Sequence, residues 1–380
     1  MEILGRLRPH WATDAGLPAR IEAMLGGDRR LGSRDRRLYR ELIYASLRYL
    51  PWIAPLMDSD PPEAARRAAW LAGDSPAVKA FRDEVAGGLP ELPAGAGEKA
   101  RILSADADLL TPAWVRSECP GAFASPLREA LLSRAPLWLR LQAANPGPIL
   151  REFESLGWAW RESALCKGAV QLPHGSDVVK TRAFLSGGVE VQDVGSQLIL
   201  ATAGAEPGGH WLDACAGAGG KTLQLAALLG PRGRVTARDT RGAALSELSA
   251  RATRAGLGGR VRVGDPADPD GGFDGVLVDA PCSGSGTWRR APHLKWVTTP
   301  EGVRTAADLQ LRLLLENAPR VRAGGRLVYA TCSLCRSENE AVVDAFVGTG
   351  AGFAAEIPGK SLLPQEHDGD GFFVASFRRP

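Results

Sequence analysis

The chain has 380 residues, with 46 basic and 43 acidic side chains for a net charge of +3 and a pI near 8.6. That length predicts two or three domains, and 44% hydrophobic with 23% charged residues excludes collagen-like and wholly disordered chains. The mild basicity permits a nucleic-acid partner without demanding one. Only 7 of the 46 basic residues are Lys, and Arg is the better bidentate ligand for phosphate. A GC-rich genome accounts for the same bias, together with the high Ala and Gly content.

No apolar run reaches the ~18 residues that span a bilayer, so no membrane role is expected. Met1–His10 is charged and lacks a long apolar core, so no secretory signal is expected there. The six cysteines (119, 166, 215, 282, 332 and 335) show no paired metal-knuckle spacing. A reduced, cytoplasmic, metal-free monomer is the expectation, and any special cysteine is chemical.

Residues 1–130 read as helical. Ser33 is placed to cap a helix through Leu38, Leu42, Ile43, Ala45, Ser46 and Leu47, with Pro51 beyond its end. Residues 28–48 carry seven Arg against three acids. That is either a solvated helix face or an RNA-backbone patch. Pro61-Pro62 and the stretch 87–97 (GGLPELPAGAG) read as loops. From 131 to 192 the texture is that of a small α/β module, with a strand at Leu137–Leu141 and a helix near Ile149–Leu156.

From 193 to 380 short β-rich runs alternate with helical stretches. The strands are read at 211–213, 234–237, 261–263, 275–279 and 326–330. Helices are read at 222–229, 243–254 and 305–318. Such alternation predicts an α/β, Rossmann-like parallel sheet with helices on both faces. Ligands then bind at the carboxyl ends of the strands.

The first of these strands runs into Asp213-Ala-Cys215-Ala216-Gly217-Ala218-Gly219-Gly220-Lys221-Thr222. Glycines there let backbone amides approach a ligand beside a helix N-terminus. A phosphate-binding P-loop would need Gly where Cys215 stands, and a dinucleotide fingerprint would need Gly near Thr222. The glycine loop of an S-adenosylmethionine (SAM) methyltransferase is the third reading. It calls for an acid after the second strand to accept the ribose hydroxyls, and Asp239 stands there. Asp265 follows the third strand, at the adenine end.

The fourth strand ends in Asp279-Ala-Pro281-Cys282-Ser-Gly-Ser-Gly-Thr, and the fifth in Ala330-Thr331-Cys332-Ser333. Parallel strands bring both ends to one face, so Cys282 and Cys332 converge although 50 positions apart. A thiolate beside SAM fits methylation of cytosine C5, a poor nucleophile. Addition of sulfur to C6 makes the ring an enamine, splitting one hard step into easier ones. Asp279 is placed to hold a proton near N3. A redox reading of Cys332-Ser-Leu-Cys335 and a zinc site are the weaker alternatives.

Four stretches resemble the RsmB/Nop/Sun family of RNA cytosine-5 methyltransferases. They are Val191–Gln197, Cys215–Thr222, Asp279–Trp296 (DAPCSGSGTWRRAPHLKW) and Tyr329–Glu340 (YATCSLCRSENE). The ending Asp370–Ala375 resembles it too. The resemblance implies that Cys332 attacks C6 and that Cys282 assists product release. It also implies that Cys215, Ala216, Gly217, Ala218, Gly219, Gly220, Lys221, Asp239, Asp265 and Asp279 contact SAM. The family's loop usually reads CAAPGGKT, and here Gly217-Ala218 replace Ala-Pro. Residues 33–44 resemble the NusB-like helical domain of the bacterial 16S rRNA branch, which makes rRNA the expected substrate, tRNA the next, and a non-catalytic ribosome-assembly binder a further alternative. Arg289, Arg290, Lys295 and Trp296 are expected to meet RNA phosphates and bases. A DNA-type enzyme would instead use Cys282 as nucleophile.

Overall fold

The computed structural model describes residues 1–73, 76–264 and 271–380. It divides into two compact units, Met1–Ser133 with Trp288–Pro300, and Arg134–Thr287 with Glu301–Pro380.

The first unit is helical, with helices at Leu17–Gly27, Ser33–Arg48, Pro61–Leu71, Pro76–Val85 and Ala96–Leu103. Ile43 and Leu47 of the second of these pack against Leu17, Ile21 and Leu25 of the first. Helix Ser33–Arg48 does not use Ser33 as its cap. The cap lies one residue earlier, where the Gly32 N–H donates to the Asp35 carboxylate at 3.0 Å. The carboxylate reaches back across the first turn to a backbone donor the helix leaves open, and its charge suits that end.

The second unit contains two sheets. Strands β1 (Leu137–Leu141), β2 (Arg161–Glu162), β3 (Ala169–Leu172) and β4 (Val189–Val191) form an antiparallel sheet in the order β2-β3-β1-β4. Helix Gly147–Ser155 packs on it through Ile149 and Phe153 against Leu139 and Val189.

The larger sheet comprises β5 (His210–Asp213), β6 (Arg234–Ala237), β7 (Val261–Val263), β8 (Phe273–Asp279), β9 (Val321–Thr331), β10 (Ala354–Leu362) and β11 (Phe372–Arg378). Among the described residues its order is β10-β11-β9-β8-β5-β6-β7, with β7, β6, β5, β8 and β9 parallel and the last two strands antiparallel. Period-2 alternation divides the core. Trp211, Leu277, Val328 and Val374 enter one apolar cluster. Leu212, Val276, Val278, Tyr329 and Phe373 enter another. Successive strand residues point to opposite faces, and both faces are covered, so the strands read as continuous apolar runs.

The C-terminal hairpin closes the sheet beside the site. Asp193 caps helix Val194–Ala203 by accepting from Gly195 N at 2.8 Å, and also accepts from Asp370 N at 3.0 Å. A Cβ on Gly195 would meet Asp370 O at 2.4 Å. The segments 191–197 and 370–375 are therefore in contact, and that contact requires the glycine. No described helix is long and apolar enough to cross a membrane.

Candidate active site

The order β6-β5-β8 places a topological switch at β5, because the chain leaves β5 for β6 on one side and returns to β8 on the other. Open sheets of this kind present a crevice beyond the strand ends there. The loop after β5 leads into helix Gly220–Leu229. Gly219 has φ +88°, and a Cβ there would meet Leu248 Cγ at 2.7 Å, so only glycine fits.

Where the family's Ala-Pro is replaced, other groups hold the backbone. The Gly217 N–H donates to Asp239 Oδ2 at 2.8 Å, the Gly219 N–H to Ala216 O at 2.9 Å, and Arg251 Nη1 to Ala218 O at 2.7 Å. Arg251 and Arg254 are themselves paired to the buried Glu190 of β4.

Asp239 follows β6 and is largely buried. Its Oδ1 accepts from the backbone N–H and Nε of Arg241 at 2.9 and 3.0 Å, and its Oδ2 accepts from Arg241 Nη2 at 3.1 Å as well as from Gly217. Burial pushes its carboxyl up, but the Arg241 guanidinium and the backbone donors outweigh that and hold it below the usual range. Asp265, the expected adenine-end acid, lies outside the described residues.

Deeper in the crevice, burial raises the Asp213 carboxyl to about 7, against a 2.7 Å hydrogen bond from the Thr222 hydroxyl. Burial, then the Asp213, Asp279 and Asp239 carboxylates, push the Cys215 thiol well up. Lys221 Nζ donates to Asp279 Oδ2 at 2.9 Å and lies 5.1 Å from the centre of the Phe372 ring. Burial opposes the Lys221 charge, but Asp279 outweighs it and keeps the ammonium protonated.

Asp279 ends β8 and registers with Ala330 of β9. The turns that follow are stitched by Ala280 N–H to Ala330 O and Gly286 N–H to Cys332 O, both at 2.9 Å. The two half-buried thiols thereby meet, with Cys282 Sγ 3.3 Å from Cys332 Sγ. The hydrogen bond with Cys332, then burial, push the Cys282 thiol up. Cys335 is fully buried, its sulfur 3.6 Å from the Ser285 hydroxyl, and burial lifts it to about 12. It is a packed thiol with little tendency to ionise.

The basic segment after the Cys282 turn corrects the sequence reading. Arg289 and Lys295, expected to meet phosphates, are each only 3% exposed. In the first unit Lys295 Nζ donates to Arg48 O at 3.0 Å, Trp296 Nε1 to Leu47 O at 2.7 Å, and Arg48 Nη2 to Arg289 O at 2.8 Å. Burial, then the Arg48 charge, lower the Lys295 amine to about 7. Of this group Arg290 is exposed. Sequence reasoning also gave no role to Glu338, which lies fully buried behind both cysteine turns.

A model of the 16S rRNA methyltransferase RsmB/F family matches residues 200–378. The ribosomal RNA small subunit methyltransferase B of Salmonella arizonae is 34% identical over 295 residues, covering 72% of this chain and 67% of its own. The chain belongs to the RsmB/F methyltransferase family. The protein of the same name from Escherichia coli O7:K1 is 33% identical, with 73% and 68% covered. Membership makes the chain a SAM-dependent RNA methyltransferase.

Solved structures share the fold. The crystal structure of PH0851 covers 99% of this chain and 96% of its own at TM-score 0.75 and 22% identity. NSun6 from Pyrococcus horikoshii, solved with SFG, covers 67% and 93% at TM-score 0.60 and 17% identity.

Proposed function

We propose that this RsmB/F member is a cytoplasmic enzyme that methylates C5 of a cytosine in 16S rRNA, with Cys332 as the nucleophile. The single observation that carries the mechanism is the pair of sulfurs 3.3 Å apart, at the ends of adjacent parallel strands. Both curated relatives described above are named for small-subunit ribosomal RNA, which supports the choice of substrate.

The residues present fit SAM. Gly219 makes the positive-φ turn, packed on Leu248, that leads the loop into helix Gly220–Leu229, and Asp239 stands beyond the neighbouring strand end with its carboxylate on the Gly217 N–H. Residues 215–221, Asp239 and Asp279 would hold the cofactor. When bound, SAM supplies the methyl group.

The protein groups do the rest. Cys332 sulfur adds to C6 of a cytosine turned out of its stack, forming the S–C6 bond and moving the C5–C6 electron pair toward C5 and the N3 side. N3 takes up the proton that the Cys332 thiol gives up, and Asp279, fixed by Lys221, holds it there. After C5 carries its methyl, the C5 proton passes to solvent water, its C–H pair restores the C5–C6 double bond, and the S–C6 pair leaves on the Cys332 sulfur, which takes the N3 proton back. Cys282, in contact with the departing sulfur, assists that release.

Three single variants on a denaturing gel test this. Cys332→Ala forms no covalent RNA adduct and no product. Cys282→Ala accumulates a stable protein–RNA band. Cys335→Ser behaves as the parent. A trapped band from Cys332→Ala would assign the nucleophile to Cys282 instead, as in a DNA-type enzyme. Loss of function from Cys335→Ser would favour redox chemistry. Bisulfite mapping of rRNA and tRNA from cells with and without the gene tests the substrate.

A further inference from the structure

The two cysteines are chemically alike, yet the proposed reaction needs one as a thiolate and the other as a thiol. The bond between Sγ atoms 3.3 Å apart is symmetric by itself. The asymmetry comes from behind the turns. Glu338 lies in the 3-10 turn Arg336–Glu338 that follows β9, and no part of it is exposed.

Its Oε1 accepts from Ser283 N at 2.7 Å and from Gln310 Nε2 at 3.2 Å. Its Oε2 accepts from the hydroxyls of Ser283 and Ser333, both at 2.5 Å. Ser283 directly follows Cys282, and Ser333 directly follows Cys332. Four donors converge on two oxygens, which is the complement of an ionised carboxylate. The anchoring continues outward. Gln310 also donates to Pro281 O at 2.9 Å, and the Tyr329 hydroxyl reaches Gln310 Oε1 at 3.0 Å and the Glu338 carbonyl.

We infer that Glu338 is a positioning residue that makes the two cysteines different: it clamps both turns and keeps the proton on Cys282, leaving Cys332 to act as the nucleophile. It touches neither sulfur's expected substrate and acts through the Cys282 turn, whose backbone N–H it binds. The two hydroxyl contacts fall on both turns alike, whereas the Ser283 N–H binds Glu338 from the Cys282 turn alone, and a buried negative charge held against that peptide disfavours a second negative charge on Cys282. Among the influences raising the Cys282 thiol, the Cys332 hydrogen bond and burial come first, with the Cys332 and Glu338 charges behind them.

The other titratable groups around the pair are Lys221 with its partner Asp279, Tyr329 and Cys335. Of these the Lys221 charge acts on Cys332, the side the inference leaves as thiolate. The inference rests on the assignment of Cys332 as nucleophile, so its test reads the thiols directly.

In the Cys332→Ala protein, without RNA or cofactor, iodoacetamide alkylation of Cys282 is followed by mass spectrometry across pH. Adding Glu338→Gln keeps the size and removes the charge. The midpoint of Cys282 alkylation is expected to move to lower pH. Ser333→Ala in the same background removes a hydrogen bond but not the charge, and should not lower the midpoint. Circular dichroism and SAM binding check that each variant folds. A folded Glu338→Gln protein with an unmoved midpoint would overturn the inference, as would an equal fall from Ser333→Ala.

With Cys332 restored, Glu338→Gln should lower kcat by about tenfold or more with KM for RNA nearly unchanged, and Glu338→Asp should recover part of it. If Cys332→Ala still methylates RNA, the nucleophile assignment fails, and the alkylation result stands or falls separately.

Discussion

Arg241 occupies Asp239, the acceptor proposed for the cofactor ribose, and on that reading its removal should tighten binding. A carboxylate offers about four acceptor positions. On Asp239 all four are taken, by Gly217 N, Arg241 N and two guanidinium nitrogens. Backbone donors hold the carboxylate in place, while the guanidinium fills one position on each oxygen. On the proposed reading, two ribose hydroxyls would take those same two positions. The Arg241 side chain is 69% exposed, so its pairing is screened and worth roughly 0.2–1 kcal/mol. Arg241→Ala should therefore bind SAM or S-adenosylhomocysteine about 1.4- to 5-fold more tightly by calorimetry, and the advantage should shrink as salt rises. Asp239→Ala is the opposite control. Losing charge-assisted hydrogen bonds of about 1.5–3 kcal/mol weakens binding roughly 10- to 150-fold. Equal or weaker binding by Arg241→Ala would refute the competition and make Arg241 a cofactor ligand instead.

Lys295→Met tests the burial of the basic segment. The Lys295 amine falls from 10.5 to about 7 in the folded chain, so the unfolded chain binds more protons between those values. Stability then rises from about pH 7 to about pH 10.5 and is flat below pH 7 on this account. The methionine variant should lose that slope and gain up to about 4 kcal/mol at pH 7 in urea unfolding, with RNA affinity unchanged. Weaker RNA binding would return Lys295 to the RNA surface. Arg29, Arg34 and Arg37 are exposed on the first unit. Replacing all three with Gln should reduce the slope of log affinity for RNA against log salt by about 2 to 3. An unchanged slope would remove this face from the RNA footprint.

The sheet was legible because its strands are buried on both faces, which leaves short apolar runs such as Gly275–Val278 at the centre of the strand Phe273–Asp279. Parallel topology then brings Cys282 and Cys332 to one end without any further information. The segment after Cys282 was not legible for a specific reason. Helix Ser33–Arg48 ends with carbonyls that have no partner within the helix. Trp296 and Lys295 supply donors to Leu47 O and Arg48 O from nearly 250 positions away. A Lys beside a Trp is the same signal whether it meets a phosphate or the end of a helix, and only the fold separates the two. Glu338 was hidden in the same way. Its stretch was read as part of a family motif, but a carboxylate gathering donors from three separate segments leaves no periodic trace.

The altered glycine loop shows how such hidden contacts compensate for a local departure. Ala-Pro would restrict the backbone through a ring that fixes one dihedral. Gly217-Ala218 gives up that restriction, and Gly217 adopts φ +52°. The lost rigidity is replaced by hydrogen bonds at both peptides, from Gly217 N–H to Asp239 and from Arg251 to Ala218 O. Arg251 is itself held by Glu190, a buried carboxylate of β4 that also takes Arg254. The loop proposed to hold the cofactor is thus tied through Arg251 to the small antiparallel sheet. Replacing Gly217-Ala218 with Ala-Pro alone would not restore the usual loop, because position 217 sits at φ +52°, where a side chain is strained.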